Sequence, residues 1–299
     1  MISVVIPARN EEKNIGNIIK SIKECGYKKP YEIIVVDGNS TDRTREIAKS
    51  MDARVILQKG RLGVSNARNL GWKNARGNII VFVEADHIVK KGFLDEIDKT
   101  FRNPVDAARY NIKPLTKNFI QKILKVQIEL ASRRQRVWLF PTIFRKYVLK
   151  KTGGYDEKLG FAEDRDLPMR VYKRGFNVVF IKNAKIHAKP VDSFVKLWKE
   201  GMWYGKNMLP YVKKHKDYTI LLSVLTYSLA LPFLILGTLQ KIFLLVSCFL
   251  FLLMFSRSVQ GFVYTKSLYA FLLPLIWIVR GTGELIGLLL SPLKRHKGK

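Results

Sequence analysis

The sequence predicts an α/β protein: a Rossmann-like, doubly wound parallel sheet over about residues 1–200, then a C-terminal α-helical transmembrane region. Three observations predict it. Short apolar runs alternate with amphipathic stretches through the first two-thirds of the chain, as in βαβ units. Polar loops follow those apolar runs, where ligands bind in open α/β sheets. Beyond Asp217 the composition changes: between residues 218 and 293 the only acidic residue is Glu284, among long apolar stretches.

The elements follow in order. Residues 3–6 form a short buried strand that Pro7 stops. Residues 11–23 carry Ile15, Ile18, Ile19 and Ile22 at helical spacing. Residues 33–36 (IIVV) are a second buried strand ending at Asp37-Gly38, and Thr41 or Asp42 caps a helix running to about Met51. Residues 53–57 are a third strand, 64–74 a helix, and Gly77 breaks that helix before a strand over 78–83. Residues 118–136 read as a basic helix, either packed on the domain surface or lying at a membrane interface. A strand over 176–181 precedes residues 196–213, whose Trp198, Trp203, Tyr204, Tyr211 and lysines have an interfacial composition.

Residues 219–237 are long enough for a bilayer span. Residues 242–255 are shorter, with Lys241 and Arg257 placed to snorkel, and the two form a hairpin around 237–241. Residues 268–290 are long enough, but Arg280, Gly281, Gly283 and Glu284 interrupt them. A basic tail kept in the cytoplasm requires an even number of crossings, so two spans with a re-entrant or interfacial third segment are expected. The division is therefore 1–200 catalytic domain, 201–217 interfacial amphipathic linker, 218–291 membrane helices and 292–299 basic cytoplasmic tail.

A net charge of +29 invites nucleic acid as a partner. The basic residues lie beside apolar spans and form no nucleic-acid motif, so anionic lipid headgroups account for the charge and no nucleic acid is expected. Cys25 and Cys248 lie in different regions and imply no oxidising compartment. Met1 leads directly into an apolar run without a signal peptide's charged region or cleavage site. The chain is thus expected in the cell membrane, multi-pass, with its catalytic domain cytoplasmic.

Five motifs carry chemistry. SVVIPARNEE (3–12) puts a polar loop at the end of the first strand, and neither G-x-G-x-x-G nor a P-loop is present. IIVVDGNSTD (33–42) repeats that geometry. Asp37 there can accept hydrogen bonds from a base or ribose, or simply form the turn. In GRLGVSNARN (60–69), Arg61 or Arg68 could meet phosphates bidentately, or be solvated at a helix start. VFVEADH (81–87) ends a strand in Glu84 and Asp86, which alternation places on one side, a pair suited to a hard divalent cation held with a diphosphate. In GGYDE…EDRDLPMR (153–170), Pro168 fits near the first turn of a helix, so Glu163 and Asp164 sit at its N-terminus, as ionised groups or as caps.

In this order and spacing the five blocks resemble glycosyltransferase family 2, whose catalytic domain has the GT-A fold (a nucleotide-diphospho-sugar transferase fold). The resemblance covers about residues 2–190. It implies that Pro7, Ala8, Arg9, Glu11 and Asp37 bind the nucleotide and that Glu84 and Asp86 form the element holding metal and diphosphate, which Arg61 or Arg68 could assist. It implies Asp86 as ligand of a Mg²⁺ or Mn²⁺ ion, with His187 as a further ligand or a structural histidine. Asp164 is implied as the general base of a single inverting displacement. Glu84 replaces the first aspartate of the family's D-x-D element, and the Q-x-x-R-W motif of processive members is absent. The expected donor is a UDP- or GDP-linked sugar, and the membrane segment points to a lipid or lipid-linked acceptor. The alternative is a sugar-phosphate nucleotidyltransferase on a similar fold.

Overall fold

A computed structural model of the chain describes residues 1–59, 63–134, 141–236 and 241–291. In chain order the elements begin β1 (Ile2–Ala8), α1 (Ile15–Lys23), β2 (Tyr31–Asp37), α2 (Thr44–Ser50), β3 (Arg54–Leu57), α3 (Val64–Asn74) and β4 (Ile79–Phe82). They continue β5 (Ile88–Val89), α4 (Phe93–Thr100), β6 (Ala107–Pro114), α5 (Phe119–Arg134), β7 (Ile143–Arg145), α6 (Lys146–Thr152), α7 (Glu163–Lys173) and β8 (Val178–Ala188). The last are α8 (Phe194–His215), α9 (Thr219–Leu236), α10 (Lys241–Thr265), a 3₁₀ turn at Leu268–Leu272 and α11 (Leu273–Leu289). Contacts divide the chain into two units, Met1–Pro114 with Val137–Lys189 and Leu115–Arg136 with Pro190–Lys299.

The first unit is built on one sheet of order β3-β2-β1-β4-β7-β6-β8-β5, curled into a half-barrel flanked by helices. The sequence predicts a parallel sheet throughout; β3, β2, β1 and β4 form one parallel run, and β6 and β8 pair parallel as well. Strand β7 is antiparallel to both β4 and β6, and β5 is antiparallel to β8, so the sheet is mixed. The regular βα alternation ends at β4. Alternation along the strands sorts the core into two layers. Val4, Ile6, Ile33, Val35 and Val81 pack with the buried faces of α1 and α4. Val5, Ile34, Val36, Ile80 and Phe82 pack with α3, α6 and α7. Helix α3 rides close on β1, because a Cβ at Gly71 would stand 2.2 Å from Val5 Cγ1.

Strand β1 does not stop at Pro7. It continues to Ala8 in register with Val36 and Asp37 of β2. Its pairing with β4 ends at Val5, so the amide that proline lacks falls where β1 is bonded on one side only.

In the second unit α5 packs Ile123, Leu124 and Val126 against Leu197, Leu273 and Ile276. Helix α10 runs without a break past Arg257 to Thr265, longer than the segment ending near 255 that the apolar run predicts. Arg280, Gly281, Gly283 and Glu284 do not interrupt α11 either. Cβ atoms at Gly201 and Gly205 would stand 2.3 and 1.9 Å from the Arg280 and Glu284 carbonyl oxygens, and those at Gly283 and Gly287 within 2.3 Å of α8 carbonyls. The glycines thus bring the backbones of α8 and α11 together, as small residues do between membrane helices. Arg280 donates to Glu200 at 3.0 Å, and Glu200 also accepts from the Tyr204 hydroxyl at 2.6 Å. A charge that reads as a break therefore has its partner on the adjoining helix. Residues 242–265 and 268–289 are long and apolar enough to cross a bilayer, with a shorter apolar stretch at 219–230. The expected hairpin turn at 237–240 and the basic tail at 292–299 lie outside the described residues.

Candidate active site

The carboxyl ends of β1 and β2 carry two loops sewn to each other. The Asn10 and Glu11 amides donate to the hydroxyls of Ser40 (2.9 Å) and Thr44 (2.8 Å), and the Thr41 amide returns a bond to Asn10 Oδ1 (2.9 Å). Asp42 accepts from the Glu12 amide at 3.1 Å as well as from the Thr44 amide and hydroxyl. Asn10 takes a left-handed φ of 56°, which asparagine tolerates. Pro7 and Ala8 line the strand end, and Arg9 is exposed. Asp37 is fully buried. Its Oδ2 accepts from the Ser40 amide at 3.1 Å, and its Oδ1 has no partner. An orphaned buried carboxylate oxygen at a strand terminus is a place for a ligand donor.

Strand β4 ends at Phe82, before the acidic pair. Residues 84–87 form a turn closed by the His87 amide on the Glu84 carbonyl (3.1 Å), so strand alternation does not govern Glu84 and Asp86. The two carboxylates meet different partners. Glu84 accepts from Arg68 at 2.6 Å, while Asp86 lies 3.9 Å from His87. Burial pushes the Glu84 carboxyl up, but Arg68 and His87 outweigh it and hold the group below its ordinary value. Burial, and then the Glu84 charge, push Asp86 upward against the pull of His87. Burial also raises Glu11, which sits in the field of Asp86, Asp42 and Glu84.

Helix α3 organises the remainder. Asn69 donates to the Tyr155 carbonyl (2.8 Å) and to Glu157 (2.9 Å), and its Oδ1 accepts from the Tyr155 amide (2.9 Å) and the Trp72 indole (3.0 Å). Gly154 is required beneath this cluster: its φ is +70°, and a Cβ would stand 2.5 Å from Asn69 Oδ1. The 153–163 segment is thereby docked along α3. Arg68, 10% exposed at its side chain, donates to Glu163 at 2.8 Å as well as to Glu84, and its guanidinium lies 5.1 Å from the Tyr155 ring centroid. The sequence offers Arg68 to phosphates. In the structure it joins the acidic turn after β4 to the first residue of α7. Arg61 lies outside the described residues.

Helix α7 starts at Glu163, with Ala162 at φ 56° before it. Pro168 is inside the helix instead of in its first turn, and its missing amide leaves the Asp164 carbonyl without the usual helical donor. Arg170 helps hold that region by bonding Asp166 at 2.7 Å and the Thr152 carbonyl at 2.5 Å. Glu163 is buried and Asp164 exposed. The helix dipole favours an ionised carboxylate at this position. Arg109, on β6, was not among the sequence candidates. It is half-buried, burial pushes its guanidinium down, and the Asp164 charge opposes that shift. A lone Arg in an unassigned segment gives no motif to find it by.

His187 pairs across the sheet with Ile88, two residues beyond Asp86. Its Nδ1 is buried without a partner, and burial, then Lys90, hold the ring below its ordinary pKa. Among the described residues no three His, Cys, Asp or Glu side chains gather as a metal cage. The donor chemistry fits a divalent cation held jointly with a ligand: a half-buried Asp86 carboxylate and a bare imidazole nitrogen at His187.

The family model for glycosyl transferase family 2 matches residues 3–156, just over half of the chain. The chain is 26% identical over 223 residues to the probable glycosyltransferase YdaM of Bacillus subtilis, covering 67% of this chain and 53% of that protein. The crystal structure of Staphylococcus aureus TarS with UDP superposes with a TM-score of 0.52 at 23% identity, over 68% of this chain and 64% of that one. The mannosyltransferase PcManGT of Pyrobaculum calidifontis, in complex with GDP-Man and Mn²⁺, gives a TM-score of 0.60 at 14% identity over 99% of this chain and 88% of that one. At these identities the two structures carry the fold, which is GT-A-like. The chain thus spans less than two-thirds of YdaM and of the TarS chain.

Proposed function

The chain belongs to glycosyl transferase family 2, and from that premise we propose that it moves a sugar from a UDP- or GDP-linked donor to a lipid-borne acceptor. The observation that carries this reading is the Arg68 bridge. One guanidinium holds Glu84 and Glu163, and so fixes the segments that carry the half-buried Asp86 and the exposed Asp164.

Each group then has a task. Asp37 Oδ1 takes a donor from the nucleotide, beside the loop of Pro7, Ala8, Arg9 and Glu11. Asp86 and His187 would hold a Mg²⁺ or Mn²⁺ ion, which when bound would supply positive charge to offset that of the leaving group. Asp164 takes the proton of the acceptor hydroxyl. The acceptor oxygen forms the new bond to the anomeric carbon, the bond to the diphosphate breaks, and the nucleoside diphosphate departs with its electron pair, inverting the centre. Arg109 supplies positive charge on the Asp164 side, suited to an acceptor that carries phosphate. The C-terminal apolar helices hold the enzyme in the cell membrane, multi-pass, with the catalytic unit in the cytoplasm.

The test is the Asp164→Asn variant in membranes given labelled nucleotide-sugars, followed by lipid extraction. Turnover should fall by at least about 10²-fold, the contribution expected of a general base, while nucleotide binding is retained. Wild-type turnover in the variant removes Asp164 from the chemistry. Release of pyrophosphate instead of a nucleoside diphosphate would make the enzyme a nucleotidyltransferase.

A further inference from the structure

Between Ile242 and Thr265 the only charged residue is Arg257, in a helix long and apolar enough to cross a bilayer. Its side chain is exposed, and among the described residues no carboxylate pairs with it. The guanidinium donates to the Tyr227 hydroxyl of α9 and lies 5.7 Å from that ring's centroid. Tyr227 in turn stacks on Trp277 of α11, with centroids 5.5 Å apart and planes 20° from parallel. Three helices thus contribute one residue each to a backed cation. Helices α9 and α10 run antiparallel, with Ser247 bonded to the Ala230 carbonyl at 2.9 Å and Phe233 beside Phe243. Tyr227 lies about 12 Å along α9 from Thr219, and Arg257 about 12 Å along α10 from Thr265, at 1.5 Å per residue.

An arginine facing lipid without a counter-ion is costly, and such residues mark function or reach the interface by snorkelling. The guanidinium has five donors in a planar fork, and the Tyr227 hydroxyl occupies only part of it. We propose that Arg257, held by Tyr227 and Trp277, binds the phosphate of an anionic membrane lipid. This inference rests on reading the second unit as membrane-embedded. It concerns residues of the second unit that have no assigned part in sugar transfer.

The full chain is reconstituted in phosphatidylcholine vesicles with and without phosphatidylglycerol, floated on a density gradient, then extracted in mild detergent for native mass spectrometry. The wild type should float and retain phosphatidylglycerol over phosphatidylcholine by about fivefold or more. Arg257→Gln should float equally and lose that preference, Tyr227→Phe should weaken it, and Arg257→Lys should keep part of it. An unchanged preference in a floating Arg257→Gln protein overturns the proposal while leaving the membrane reading intact. A wild type that does not float overturns both. Displacement of the retained lipid by millimolar inorganic phosphate reassigns the site to soluble anions and overturns the lipid assignment.

Discussion

Replacing Arg68 by methionine tests whether this guanidinium is a structural bridge or a phosphate ligand. The variant keeps the length of the stem and removes two charge-assisted hydrogen bonds, 2.6 Å to Glu84 and 2.8 Å to Glu163. Breaking a buried pair by deleting one partner costs about 3–5 kcal/mol, because the other charge stays behind uncompensated. The two carboxylates differ in how they bear this. The Glu84 side chain is 42% exposed and rehydrates, whereas that of Glu163 is 10% exposed. Burial already pushes the Glu163 carboxyl up, and removing the Arg68 charge pushes it further. The expected loss is accordingly at the lower end, about 3 kcal/mol, or roughly 6–12 °C in Tm for a domain of this size. Circular dichroism melts of the purified chain in detergent measure it. Adding Glu163→Gln should return about 1–2 kcal/mol, since the stranded charge is then gone. Turnover should fall with nucleotide affinity nearly kept, because Asp86 and Asp164 lose their common anchor. A Tm within about 2 °C of wild type, together with a clear loss of nucleotide affinity, would refute the bridge and return Arg68 to the phosphates.

Two further outcomes follow from the packing. Glu32 accepts from the Ser3 hydroxyl and the Arg76 amide, each at 2.6 Å. Burial raises its carboxyl, but these bonds and the Arg54 charge outweigh that and hold it below its ordinary value. A lowered folded value means stability present above the unfolded pKa and lost as pH falls through the folded one. Glu32→Gln should therefore cost about 1 kcal/mol near neutrality, with the Tm gap to wild type closing as pH falls below about 4.5. Gly205→Val would force a side chain to within 1.9 Å of the Glu284 carbonyl, which cannot yield as a side-chain tip does. The detergent melt should show about 1–3 kcal/mol of destabilisation, whereas Gly261→Ala, whose nearest neighbours are the side-chain atoms of Leu130 and Ala270 at 3.1 and 3.2 Å, should be tolerated.

The parallel half of the sheet was legible because Ile33 to Val36 and their counterparts are buried on both faces and read as unbroken apolar runs. The mixed half was not. Ala107 to Pro114 mixes alanine, arginine, asparagine and lysine, and β7 has three residues, too few to show a period. Local rules also misled where tertiary pairing overrode them. Pro7 reads as a strand stop but occupies a stretch bonded on one side, and Pro168 reads as a helix start but sits inside α7. Arg280 reads as a break in an apolar run because its partner, Glu200, is far away in sequence. Within the candidate site, position was visible for Asp37 at the end of β2 and for Asp164 in the first turn of α7, whereas Asp86 stands in a turn beyond β4. Which carboxylate Arg68 meets was not, since a pairing across the fold leaves no spacing to read.

The seam between the loops after β1 and β2 has a thermodynamic consequence. Its crossing bonds, from Asn10, Glu11, Glu12 and Thr41 to groups on the opposite loop, are made within the protein alone. The two loops therefore lose their conformational freedom on folding and not on binding. A ligand that reaches Asp37 meets a wall already set, and its association carries little ordering penalty from this side of the cleft. Cutting the seam, for instance at Ser40 or Thr44, should weaken binding through entropy while touching no ligand contact.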